Sequence, residues 1–359
     1  MRRKMPQDNI SRVVVKLGTG ILTDSRKQPD LGQMEQLAAQ VAEQREAGRE
    51  LVLVSSGAVG AGMGVLSFDK RPTNLAELQA CAAVGQSRLM ASYEKLFARH
   101  GLHVAQVLLT HEDLEHHDRH LNARNTLVTL LQRGVIPIIN ENDAVSVTEL
   151  KFGDNDRLSA LVACLLPADL LVILTSVDGL IQNYGQPDAR LLPTVEKIDD
   201  AIVRLGHGTL SATAVGGMTT KIDAGRIVTR SGIPLVIASG RRRGVLARIL
   251  DGEAEGTMFV PRERKLQGRK RWIAFFHHPR GTLVVDDGAR QAVREANKSL
   301  LLPGVIRCEG EFRAGDVVRI CDVEGTEFAR GIPEFAADQV RAKDLPRTVL
   351  VHRDNLVVL

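Results

Sequence analysis

Arg12-Val13-Val14-Val15-Lys16-Leu17-Gly18-Thr19-Gly20 reads as a strand that delivers a lysine into a glycine turn. Its valine run shows no alternation, as expected for a strand covered on both faces of a parallel sheet. Similar short β-rich runs recur at Glu50–Val54, His103–Leu109, Val135–Ile139, Leu170–Thr175 and Pro234–Ala238. Longer helix-like segments lie between them, at 31–47, 74–99, 119–133, 155–165 and 219–231. Gly48, Gly101, Gly134 and Gly232 each stand between a helix-like segment and a strand, the usual place of a helix C-terminal glycine. The alternation predicts an α/β sandwich built on an open, mainly parallel sheet, over residues 1–260.

The texture then changes. Residues 261–274 read as a charged linker, and residues 275–359 as a small, mainly β domain. Its strand-like runs are Thr282–Val285, Val317–Cys321, Glu327–Gly331 and Thr348–Val351, with one helical stretch near Ala289–Lys298. The formal net charge of +4 is local: Arg262–Arg271 holds six basic residues and one acid, while 272–359 holds 12 basic and 13 acidic residues. A basic nucleic-acid-binding domain is therefore not expected. No apolar run approaches the roughly 20 residues of a membrane-spanning helix. No secretory core follows the basic N-terminus, and the four cysteines form no CxxC pair, so a cytoplasmic location without membrane attachment is expected.

Three glycine clusters adjoin predicted strand or helix ends: Lys16–Gly20, Ser55–Gly62 and Gly216–Lys221. Two acid–amide clusters, Asn140-Glu141-Asn142-Asp143 and Gly153-Asp154-Asn155-Asp156, accompany them. Taken singly, each can be a tight turn or a helix cap. Together they suit phosphoryl transfer. Attack of a carboxylate on the γ-phosphate of ATP joins two anions, so catalysis is mostly positioning and charge neutralisation. The acceptor is already ionised near pH 7, so no general base is needed.

The runs VVVKLGTGILT (13–23), VLVSSGAVGAGM (52–63), AAVGQSRLM (82–90), NARNTL (122–127), PIINENDAVS (137–146), KFGDNDRLSALVA (151–163) and GGMTTKIDAG (216–225) resemble, in order and spacing, the glutamate 5-kinases of the amino acid kinase family. Beyond the linker, KRWIAFF (270–276), VVDDGA (284–289), LLPGVI (301–306) and RAGDVVRICDVEG (313–325) resemble the PUA domain carried by many bacterial members. The resemblance implies phosphorylation of L-glutamate by ATP with Mg²⁺. Proline would act as feedback inhibitor, and a glutamyl phosphate reductase would act downstream. It also implies a homo-oligomer, dimer or tetramer.

The resemblance assigns roles as well. Lys16 would contact the ATP phosphates, Lys221 the moving phosphoryl group, and Asp156 would orient both lysines. Gly18 and Gly57 would offer backbone N–H groups. Ser56, Asp143 and Asn155 fall on the glutamate positions, with Asn140 a further candidate. Thr175, Ser176, Val215, Gly216, Gly217, Met218, Thr219, Thr220 and Lys221 fall on the nucleotide site. No protein metal ligand is assigned. The chain departs from the family at Thr175-Ser176, where Thr-Asp is usual, and at Leu180–Tyr184, which lacks the usual LYT.

Two alternatives stay open: a relative acting on acetylglutamate or aspartate, and a regulatory or RNA-binding protein with a kinase-like body. Retained Lys16, Lys221 and Asp156 argue against the second. His111, His116, His117 and His120 lie among acidic residues and are read as a solvated helix start rather than a metal site.

Overall fold

A computed structural model describes residues 10–24, 29–146, 155–207, 217–261, 268–276, 279–342 and 348–359. The chain forms two compact units, residues 1–265 and 266–359.

In the first unit the elements run β1 (Arg12–Leu17), α1 (Thr19–Leu22), α2 (Leu31–Glu46), β2 (Glu50–Ser55), α3 (Ala58–Val65), α4 (Leu75–Ala98) and β3 (Val104–Leu109). Then come α5 (His111–Glu115), α6 (His117–Gln132), β4 (Ile136–Glu141), α7 (Asn155–Leu165), β5 (Leu170–Thr175), β6 (Ile181–Gln182) and β7 (Arg190–Leu191). The unit continues with β8 (Thr194–Val195), α8 (Asp200–His207), α9 (Met218–Arg230), β9 (Leu235–Ser239), α10 (Val245–Leu250) and β10 (Thr257–Phe259). Eight strands form one sheet in the order β3-β4-β2-β1-β5-β9-β10-β8. The six predicted strands pair parallel throughout; β10 runs antiparallel to β9, and β8 runs parallel to β10, so both of these short edge strands oppose the other six. β1, β2, β4, β5 and β9 are almost wholly buried, which explains their unbroken apolar runs. The chain builds outward from β1 in both directions, to β2 on one side and β5 on the other. Such a reversal leaves a crevice at the strand C-termini, where ligands bind in open α/β sheets.

One expectation is revised. Ser55–Gly62 reads from sequence as a glycine loop, but the turn closes at Gly57 and α3 begins at Ala58. Close packing is the reason. A Cβ on Gly62 would overlap the Cys81 carbonyl oxygen, and one on Gly85 would overlap the Ala58 carbonyl oxygen. The α3 and α4 backbones therefore touch, which compensates for the poor intrinsic helix propensity of glycine. β8 and β10, each two or three residues long, carry no alternation that sequence could reveal.

The second unit comprises α11 (Gly268–Phe275), β11 (Gly281–Val285), α12 (Asp287–Arg294), β12 (Leu300–Leu301), β13 (Val305–Gly310), β14 (Val318–Cys321), β15 (Glu327–Gly331), α13 (Ala337–Ala342), β16 (Val349–Val351) and β17 (Leu356–Val358). Five strands form a sheet in the order β13-β11-β14-β15-β17, and β12 pairs with β16. Its core gathers Leu283, Val285, Ile320, Phe328 and Leu350 among others. α11 occupies the C-terminal half of the stretch read as linker. There Ile273 and Ala274 are buried, and Arg330 donates to the Ala274 carbonyl at 2.9 Å. Residues 262–267 of that stretch lie outside the described residues. α12 is capped by Asp286, whose carboxylate accepts from the Ala289 N–H at 2.7 Å; the helix starts and stops earlier than the sequence suggests.

Candidate active site

Lys16 lies near the end of β1, Asp156 in the first turn of α7, and Lys221 in the first turn of α9. The three converge. Lys16 Nζ lies 2.8 Å from Asp156 Oδ1, and Lys221 Nζ lies 2.9 Å from Oδ2. All are nearly dry, at 6%, 1% and 5% exposure for Lys16, Asp156 and Lys221. Burial opposes ionisation of Asp156. The two ammoniums outweigh it and hold the carboxyl well below the usual carboxylate range. Two cations on one anion leave a net positive charge at the crevice, suited to phosphate oxygens. The Thr220 hydroxyl lies 2.8 Å from both Asp156 Oδ2 and the Gly217 carbonyl, so it braces the cluster from α9.

Beside the cluster runs a chain of amides. Asn155 Nδ2 reaches the Ser55 carbonyl at 3.0 Å, Ser56 Oγ at 3.2 Å and Asn140 Oδ1 at 3.0 Å. Asn140 Oδ1 also accepts from the Glu141 N–H at 3.0 Å, and Asn140 Nδ2 donates to Gln86 Oε1 at 2.8 Å. The Ser55 hydroxyl shares a 2.8 Å hydrogen bond with the buried Tyr93 hydroxyl, which fixes the β2 end against α4. Gly57, at φ +99°, turns the chain from β2 into α3, and a Cβ there would meet open space.

Asp143 follows β4 and is 6% exposed, yet its Oδ1 has no hydrogen-bond partner among the described residues. Burial, then the neighbouring Glu141 carboxylate, push its carboxyl up to about 7; Arg71 only partly opposes this. Burial also raises Glu141, against a hydrogen bond from the Ser146 hydroxyl. Two buried carboxyl groups with little cationic compensation favour a bound cation.

The other predicted residues are placed as follows. The Gly18 N–H, expected to face a phosphate, donates to the Leu174 carbonyl at 3.0 Å. What Gly18 provides is space: a Cβ would lie 3.7 Å from Lys16 Nζ and 3.2 Å from the Leu174 carbonyl oxygen. Thr175 ends β5, and the exposed Ser176 hydroxyl faces Gly20 of α1. Asp178 pairs with Arg242 at 3.0 Å, and Arg242 also reaches Glu255 at 3.2 Å. Gly217 caps α9, Met218 is buried, and the Thr219 hydroxyl donates to the Gly206 carbonyl at 3.2 Å. Val215 and Gly216, like Gly153 and Asp154, lie outside the described residues. Of the histidines, His111 sits 3.6 Å from Glu115 and His120 Nδ1 lies 3.2 Å from the Leu114 carbonyl, so both serve local helix packing.

Gln86 and Tyr93 do not stand out as site residues in the sequence, and Glu141 enters only as a member of the Asn140–Asp143 cluster. Gln86 does lie within AAVGQSRLM, but its reach into the crevice depends on how α3 meets α4.

Buried lysines spanning one carboxylate, at the switch point of a parallel sheet, make an arrangement suited to phosphate oxygens. The amino acid kinase family matches residues 11–239, and the PUA domain matches residues 281–353. The chain belongs to the amino acid kinase family. Curated relatives that match over nearly the full length include glutamate 5-kinases. The chain is 44% identical to that of Pelobacter propionicus over 100% of both chains, and 46% identical to that of Geobacter sulfurreducens over 98% of both. It is 48% identical to that of Methylococcus capsulatus over 97% of both. A solved carbamate kinase from Giardia lamblia bound to AMP-PNP shares the fold at TM-score 0.52 and 20% identity, covering 70% of this chain and 99% of that one. No helix among the described residues is long and apolar enough to cross a membrane.

Proposed function

We propose that the protein transfers the γ-phosphoryl group of ATP to the γ-carboxylate of L-glutamate, giving ADP and L-glutamyl 5-phosphate. The observation that carries this reading is the Lys16–Asp156–Lys221 bridge beside the Ser56–Asn155–Asn140 amide chain. The identity to glutamate 5-kinases over the full length supports the choice of acceptor.

A γ-carboxylate oxygen attacks the γ-phosphorus, and the bond from that phosphorus to the β–γ bridging oxygen breaks. ADP departs with the electron pair, and no proton moves. Lys16 and Lys221 neutralise the oxygens on which charge accumulates, and Asp156 keeps both ammoniums in register before ATP arrives. Ser56 and Asn155 orient the acceptor carboxylate, and Asp143 receives the substrate ammonium. Residues 175–176 and 217–221 line the nucleotide. Mg²⁺ enters as the complex with ATP. The described residues do not fit a dedicated protein site for it: Asp156 is taken by two ammoniums, and no group of three His, Cys, Asp or Glu side chains assembles among them.

On this reading the enzyme works in the cytoplasm as a homo-oligomer and begins proline biosynthesis. Proline inhibits it by competing around Ser56, Asp143 and Asn155. Its labile acyl phosphate is consumed by a glutamyl phosphate reductase. The test is ADP release with MgATP and L-glutamate, N-acetylglutamate or aspartate, with hydroxylamine trapping the acyl phosphate. Glutamate-dependent hydroxamate suppressed by proline is expected. Turnover of another acceptor with none of glutamate would overturn the assignment.

A further inference from the structure

The amide chain has a fixed polarity. The Ser55 carbonyl can only accept and the Glu141 N–H can only donate, which sets Asn155 Nδ2 and Asn140 Oδ1 as they stand. Asn140 must therefore present Nδ2 to Gln86, and Gln86 must answer with Oε1. The remaining amide nitrogen, Gln86 Nε2, is buried without a partner among the described residues, on a side chain from a residue only 8% exposed. The α3–α4 contact at Gly85, one residue earlier, leaves Gln86 little freedom to withdraw. Among the described residues, a donor on Gln86 and an anionic acceptor, Asp143 Oδ1, thus lack partners near the end of β4. A carboxylate oxygen and an ammonium on one carbon complement such a pair.

We propose that Gln86 is a substrate-contact residue: its Nε2 donates to the α-carboxylate of the bound amino acid, whose α-ammonium meets Asp143. This rests on the reading that the acceptor is glutamate. The γ-carboxylate has to meet the phosphoryl group at Lys16 and Lys221, beside Asn155. The amide chain leads away from that end through Asn140 to Gln86, which leaves the α-carboxylate as its partner. A residue needed only to anchor Asn140 would use Oε1 alone, and this difference can be measured.

Two substitutions separate the roles. Gln86→Glu keeps an oxygen for Asn140 and replaces the donor with an acceptor. Gln86→Met removes both at similar volume. Each variant would be assayed at pH 8 for the KM of glutamate and of ATP. The ratio of kcat/KM for glutamate to that for 4-aminobutyrate, which lacks the α-carboxylate, would be measured alongside. Both variants are expected to raise the glutamate KM at least tenfold with the ATP KM within twofold, and to lower the glutamate preference by the same factor. A Gln86→Glu enzyme that matches the wild type would overturn the proposal and leave Gln86 an anchor for Asn140, or a partner of bound water. So would an unchanged preference ratio in either variant. Should Gln86→Met fail to fold, Gln86→Glu decides alone. A wild-type enzyme that neither binds nor phosphorylates glutamate would instead refute the functional reading.

Discussion

Lowering the pH from 8 to 6 is expected to weaken glutamate binding about tenfold, through Asp143. With its carboxyl at about 7 in the ligand-free site, the ionised fraction falls from about 91% to about 9% over that interval. If only the ionised form accepts the substrate ammonium, the apparent Kd rises by the ratio of those fractions, about tenfold or ~1.4 kcal/mol. Glutamate itself changes little across this range, because its carboxylates are ionised and its ammonium protonated. The facing groups are Glu141, which raises Asp143, and Arg71, which lowers it. Calorimetry in buffers of different ionisation enthalpy would count the protons: at pH 7, about half a proton should leave per glutamate bound. Asp143→Asn should bind weakly with a flat profile. The sign for stability follows. The folded carboxyl lies above its unfolded value of about 3.9, so ligand-free stability from this group is full below pH 4 and declines towards pH 7. The rise in Tm on adding glutamate should therefore grow with pH. A wild-type affinity that is constant from pH 6 to 8, with no proton release, would refute the reasoning.

Asp156→Ala leaves two buried ammoniums facing each other, and is expected to cost about 3–5 kcal/mol in urea unfolding and to lower kcat at least a hundredfold. Gly85→Ala places a methyl on the Ala58 carbonyl oxygen. Overpacking of about 1–3 kcal/mol should outweigh the gain in helix propensity, and the glutamate KM should rise while that of ATP stays level. Ser176→Asp restores the family's carboxylate at an exposed position beside Gly20. The KM of ATP should change less than tenfold, ~1.4 kcal/mol, and a larger gain would show that Ser176 is a real deficit.

Much of the first unit was legible because parallel strands buried on both faces leave unbroken apolar runs, and glycines with positive φ end the helices at 48, 101, 134 and 232. α3 was not, because glycines at 60, 62 and 64 read as a loop until the α4 backbone is known to lie against them. α11 was hidden by its charge: the basic residues 269–271 look like linker, whereas Ile273 and Ala274 are what the helix buries. In the site, the need for lysines near a carboxylate drew attention to Lys16, Asp156 and Lys221. The pairing of each lysine with its own oxygen is a matter of three-dimensional approach. Gln86 and the engaged Gly18 amide lay beyond sequence for the same reason, since both depend on partners far along the chain.

The single carboxylate between Lys16 and Lys221 has a kinetic corollary. Its two oxygens are rigidly spaced, so Asp156, carried on α7, acts as a spacer between ammoniums that arrive from β1 and α9. A displacement of α7 alters its hold on both at once. Substitutions in the α7 core, such as at Leu158 or Leu161, should then perturb nucleotide and acceptor parameters in proportion, whereas changes confined to Asp143 or Gln86 should uncouple them.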